Sequence, residues 1–134
     1  YGMPLMIEPL VMQPVTEAGG YMVDGDCEKI VTLTRLAREM GADIIKADPT
    51  THAEDFHKVV EVARCPVLVR GGGREDLRIV FEKSAALMRQ GAMGMVYGRN
   101  IYQHANPRAV ARGLMAMIHD GADASTAYAV YQQG

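Results

Sequence analysis

Tryptophan is absent from the 134 residues, aromatic side chains make up only 6% of them, and two cysteines are present. A core with so few large rings has to be filled by aliphatic side chains and by the ten methionines, whose unbranched thioethers adapt to irregular gaps. Neither charge sign is in surplus: 14 Lys and Arg stand against 16 Asp and Glu, for a net charge of −2. That balance excludes a basic nucleic-acid surface, and an apolar share of 49% excludes a disordered tail. No apolar run approaches the roughly 18 residues that a membrane-crossing helix needs. Neither a nucleic-acid nor a membrane partner is therefore expected. Cys27 and Cys65 lie far apart and outside any metal-ligand spacing, and His52, His57, His104 and His119 are equally isolated. Free thiols in a reducing cytoplasm, surface or capping histidines and no metal site are the expectations. The chain opens at Tyr1 and runs straight into Met3-Pro4-Leu5-Met6-Ile7-Glu8, so residues are expected upstream.

Four short apolar runs are present, at Pro4 to Glu8, Ala42 to Ala47, Pro66 to Val69 and Gly94 to Tyr97. Each is too short for a helix and too continuous for a strand with one wet face, as in a parallel sheet covered by helices. Between and after them lie helical patterns at Asp26 to Met40, Ala53 to Ala63, Glu75 to Gln90 and Pro107 to His119. Gly41 and Gly91 read as stop signals, and Asn106 as a cap in front of Pro107. The segment Ala122 to Gly134 reads as a last short helix, with Tyr128 and Tyr131 on adjacent turns placed to pack on a neighbour. Strand followed by helix, four times over, predicts βαβ units and an α/β fold. A (β/α)8 barrel takes about 250 residues, so four units in 134 residues make about half of one. In such barrels the loops after the strands carry the chemistry. Here those loops are the longer ones, above all Pro9 to Gly25.

Of the four lysines, Lys29, Lys58 and Lys83 fall on polar helix faces, whereas Lys46 interrupts the apolar run Ala42-Asp43-Ile44-Ile45-Lys46-Ala47. Strand alternation puts Ile44, Lys46 and Asp48 on one face and Ile45 and Ala47 on the other. With the second pair against the helices, Lys46 points into the interior near the C-terminal mouth. Burial there disfavours the ammonium, and a desolvated amine is what Schiff-base chemistry on a ketone requires. The competing reading is a lysine that reaches solvent or pairs with Asp48. Glu8 ends the first run on the same face as Met6 and is placed either to shuttle protons or to pair with Lys46 or Arg70. Asp48 is the second candidate for that role. Arg70-Gly71-Gly72-Gly73-Arg74 closes the third run and Tyr97-Gly98-Arg99-Asn100 the fourth. Consecutive glycines let backbone N–H groups approach an anion, and paired loops after adjacent strands form a phosphate site. Arg70 either joins that site or, pointing inward, opposes a charge on Lys46.

The motifs Gly41-Ala42-Asp43-Ile44-Ile45-Lys46, Pro66 to Gly73 and Gly91 to Gln103 together resemble class I aldolases of the DeoC/LacD group, most closely the archaeal-type (DhnA-like) fructose-bisphosphate aldolases. The resemblance covers nearly all of this chain and about the last half of that barrel, strands five to eight. It implies that residues 1–134 form the C-terminal half of a TIM-barrel aldolase domain in a cytoplasmic homo-oligomer. It further implies a lysine imine with a ketose phosphate, such as fructose-1,6-bisphosphate, and neither metal nor other cofactor. Position by position, Lys46 matches the imine-forming lysine. Gly71 and Gly72 match the glycines that hold a phosphate, and Gly98 and Arg99 complete that site. Leu10 stands where the archaeal enzymes carry a proton-transferring tyrosine. Glu8 instead resembles the glutamate of tagatose-bisphosphate (LacD-like) aldolases, and Arg70 occupies a place where relatives often carry Ser. These departures leave the particular sugar open. Two other readings stand beside this one: a flavin- or nucleotide-phosphate barrel oxidoreductase, which leaves Lys46 without a role, and a non-catalytic half-barrel.

Overall fold

A computed structural model describes residues 2–15 and 20–134. From the N-terminal side come β1 (Met6–Ile7), an antiparallel hairpin of β2 (Met12–Pro14) and β3 (Tyr21–Val23), and α1 (Cys27–Glu39). Next are β4 (Ile44–Ala47), a 3-10 turn at Ala53–Asp55 that runs into α2 (Phe56–Ala63), β5 (Val67–Arg70) and α3 (Leu77–Arg89). β6 (Gly94–Val96), the four-residue α4 (Arg99–Tyr102), α5 (Pro107–Asp120) and α6 (Ala124–Gln132) complete the described elements. The main sheet has the order β1-β4-β5-β6, with every neighbouring pair parallel. Parallel neighbours need a crossover, and α1, α2 and α3 provide the three.

Local sequence explains the helix limits. Asp26, Asp76, Asn106 and Asp123 each cap a helix by accepting a backbone N–H from within the first turn. α1 and α3 both end on a glycine in the left-handed region, Gly41 at φ +93° and Gly91 at +100°. In each case the next residue bonds back over the glycine, Ala42 N to Ala37 O and Ala92 N to Leu87 O, both at 3.2 Å. The expected helix at Ala53 to Ala63 opens instead as the 3-10 turn, since His52 caps it without a side-chain bond.

Helices cover one face of the sheet. Ile45, Ala47, Val67 and Val69 are buried there against Ile30, Ala37, Phe56, Val59 and Leu87. A second cluster joins Phe81 and Val80 of α3 to Val110 and Leu114 of α5 and Ala127 of α6, and Tyr97 packs on both clusters. The neighbour of the C-terminal tyrosines is therefore this chain itself. Tyr128 stands edge-on to Phe81 with Arg78 over its ring, and Tyr131 stands edge-on to His104. The other sheet face carries Lys46, Leu68 and Arg70, all half-buried, and Met6, which is 47% exposed. Among the described residues no helix is long and apolar enough to cross a membrane.

Candidate active site

Three adjacent strands bring four charged side chains into one line at their C-terminal ends. Lys46 Nζ lies 2.9 Å from Glu8 Oε2, with its side chain 18% exposed. Arg70 Nε lies 3.1 Å from Glu8 Oε1, and its Nη1 bonds Asp48 Oδ1. The other oxygen of Asp48 accepts the Val11 N–H at 3.0 Å. Alternation accounts for the placement: Ile45 and Ala47 are fully buried under the helices, which leaves Lys46 on the opposite face. Glu8 follows Ile7 of β1, and β1 pairs with β4 through Met6–Ile44 and Ile7–Ile45, so its carboxylate comes beside the lysine. Two cations and two carboxylates balance, as partly dehydrated charges require. The partner of Lys46 is thus Glu8 rather than Asp48. Glu8 takes both salt-bridge partners that its position allowed. Arg70 is held between two carboxylates on the sheet face away from the helices and also borders the glycine-loop cleft.

That glycine loop follows β5. Gly71 donates its N–H to Val96 O at 3.2 Å, and a Cβ at Gly71 would lie 2.8 Å from Tyr97 Cδ1. Its lack of a side chain is therefore a packing requirement, and its N–H belongs to the sheet. Gly72 and Gly73 differ: nothing lies within 4 Å of a Cβ built on either. Among the described residues their N–H groups meet no backbone acceptor. Gly98 and the exposed Arg99 begin α4 beside this loop. A cleft of about 600 Å3 opens here, walled by Asp48, Arg70, Gly72, Gly73, Tyr97 and Arg99, and on its far side by Met12, Tyr21 and Met22 of the hairpin. Lys46 and Glu8 lie outside its wall, and Arg70 touches both the cleft and Glu8. Arg70 therefore connects the cleft to the amine.

Three contributors to this rim are not evident from sequence. Asn100 is 8% exposed and accepts the Glu75 N–H at 3.0 Å, tying the loop after β6 to the loop after β5. Its only signal is its place in the Gly98-Arg99-Asn100 motif. Tyr97 hydrogen-bonds Ser84 at 2.9 Å, while Ser84 donates to Val80 O. Burial raises the Tyr97 phenol above its ordinary range, so it stays neutral. The hairpin occupies the long segment Pro9 to Gly25, of which residues 16–19 fall outside the described residues. Met12-Gln13-Pro14 has no alternating pattern, and a proline inside a run argues against a strand, so nothing local announces it. His52, His57, His104 and His119 stay apart; among the described residues no three His, Cys, Asp or Glu side chains converge as metal ligands.

The family model described as "DeoC/LacD family aldolase" matches residues 1–104. Over 124 residues the chain is 36% identical to an uncharacterised aldolase of Saccharolobus solfataricus, covering 92% of this chain and 44% of the relative. It is also 36% identical over 104 residues to the 2-amino-3,7-dideoxy-D-threo-hept-6-ulosonate synthase of Halobacterium salinarum, covering 78% of this chain and 39% of that one. Among solved structures an archaeal fructose 1,6-bisphosphate aldolase superposes with a TM-score of 0.75 at 26% identity, over 89% of this chain and 46% of its own. The chain thus spans less than half the length of the relatives it matches. A parallel sheet with helices on one face, a lysine paired with a glutamate on the other and the family match along most of the length lead to one assignment: this chain belongs to the DeoC/LacD aldolase family.

Proposed function

We propose that this chain is the later half, strands five to eight, of a (β/α)8 barrel and carries the reactive half of a class I aldolase. The substrate is a ketose phosphate, such as fructose-1,6-bisphosphate or a related sugar phosphate, split reversibly into dihydroxyacetone phosphate and an aldehyde. One observation carries this reading: a half-buried lysine amine stands 2.9 Å from a carboxylate on the sheet face away from the helices. Lys46 has to give up a proton before it attacks a carbonyl carbon, and Glu8 Oε2 is within direct transfer distance. Loss of water from the resulting carbinolamine leaves an iminium. Its nitrogen takes up the electron pair when the C–C bond one carbon removed from the iminium breaks, which leaves an enamine and releases the aldehyde. Glu8 relays the protons that these steps release and consume.

The Gly72 and Gly73 N–H groups, with Gly98 and the Arg99 side chain, supply the phosphate contacts, and Gly71 holds the loop against Tyr97. Two of the named relatives carry different compounds in their names, and in this chain Arg70 stands on the reaction face beside Glu8. The identity of the sugar is therefore settled by assay and not by family. Purified protein given a panel of ketose phosphates should release dihydroxyacetone phosphate from at least one. Lys46→Arg keeps the cation but offers no neutral amine and should release none. Glu8→Gln should slow turnover about 10²–10⁴-fold, the usual effect of losing an acid–base group. Full turnover by Lys46→Arg would reject the lysine as the reacting group.

A further inference from the structure

Glu8 raises a positioning problem. It sits one residue beyond a two-residue strand, and its side chain is 37% exposed. A glutamate so placed has several rotamers open to it, and holding it against one amine requires a second anchor. That anchor is Arg70, whose Nε contacts Glu8 Oε1 while Lys46 contacts Oε2. Arg70 in turn is fixed by Asp48, which is 1% exposed and has both oxygens committed. Those two commitments act on the same short stretch of chain. Through Arg70, Asp48 restrains the Glu8 side chain, and through the Val11 N–H it restrains the main chain three residues further on.

We infer that Asp48 is a positioning residue that acts through Arg70 to aim Glu8 at the Lys46 amine. The inference rests on the aldolase reading and adds a residue to it. It also favours Glu8 over Asp48 as the proton shuttle, because each oxygen of this buried carboxylate already accepts a hydrogen bond. A planar guanidinium is well shaped for this bridging position. It presents Nε to one carboxylate and Nη1 to another, which a lysine ammonium could not do in fixed geometry.

A double-mutant cycle in the intact protein tests this. Asp48→Asn keeps an oxygen for the Val11 N–H and removes the charge that holds Arg70. It should lower kcat by about tenfold or more with KM changed less than about twofold, and leave covalent trapping of Lys46 by borohydride in place. Asp48→Asn combined with Glu8→Gln should be no slower than Glu8→Gln alone, because the first change acts only through the second residue. Arg70→Gln should show the same non-additivity and carries the comparison if Asp48→Asn does not fold. Losses that multiply in the double variants overturn the inference while leaving the aldolase reading intact. So does a wild-type rate in Asp48→Asn or Arg70→Gln. Parent protein that shows no trapped Lys46 takes down both.

Discussion

Gly71 and Gly72 are adjacent, chemically identical, and glycine for opposite reasons. A methyl at Gly71 would be driven into Tyr97, whereas one at Gly72 would enter open space. Gly71→Ala should therefore destabilise the fold by about 1–3 kcal/mol, the usual cost of overpacking, read as a lower denaturant midpoint. Gly72→Ala should keep that midpoint and instead raise KM for a phosphorylated substrate while leaving it unchanged for an unphosphorylated one. The three-glycine run reads from sequence as a candidate phosphate loop, but the different packing of its glycines does not. It depends on how closely Tyr97 approaches from the next strand, a tertiary fact. Lys46 was legible for a local reason, since the one charge in the strand Ile44–Ala47 can face only one way when Ile45 and Ala47 are buried. Its partner was not: Glu8 and Asp48 both lie near it, and only the register of β1 on β4 decides between them. The two thiols follow from burial too. Desolvation pushes Cys27 and Cys65 above the ordinary thiol value, so at pH 7 both should react with a disulfide reagent more slowly than a free cysteine.

The helices with clear stop and start residues were readable almost to their ends, since caps and left-handed glycines are local chemistry. Asp123 illustrates how a cap becomes a pH effect. The Thr126 N–H holds its carboxyl below the ordinary carboxylate range. A depressed folded value means that the stabilisation is present above the ordinary carboxylate pKa of about 3.9 and fades as pH falls through the lower folded value. The amide shifts of α6 should report fraying in that acid range, and Asp123→Asn, a cap that does not titrate, should remove the effect. Gly113 of α5 shows what periodicity does not reveal. A Cβ there would meet Phe81 at 2.7 Å and Ala127 O at 2.8 Å, so α5 lies directly against α3 and α6. Gly113→Ala should lower the thermal midpoint, with the loss largest in α6, whose packing on α5 it disturbs. The β2–β3 hairpin stayed hidden because its strands carry no alternation; Val11 in front of it is anchored by Asp48 and accepts the Asp24 N–H, contacts that join residues distant in sequence or across the turn.

At the scale of the molecule, the alternation of strands and helices led to the α/β class because β4 and β5 each bury alternate residues under helices, while β1 at the edge stays largely exposed. The sheet then leaves a face on which every prominent group is charged, half-buried or apolar and wet: Lys46, Arg70, Leu68 and Met6. That face carries the proposed reaction site, and β1 and β6 are the two edges of the described sheet. Everything proposed for it depends on one amine forming a covalent bond with a carbonyl carbon. The direct measurement is borohydride reduction of the protein mixed with dihydroxyacetone phosphate, followed by peptide mass mapping. The expected result is a single triose-phosphate increment on the peptide containing Lys46, lost when borohydride or the triose is omitted. Cleavage activity that persists with Lys46 unmodified, or an increment on Lys29, Lys58 or Lys83 in its place, would contradict it.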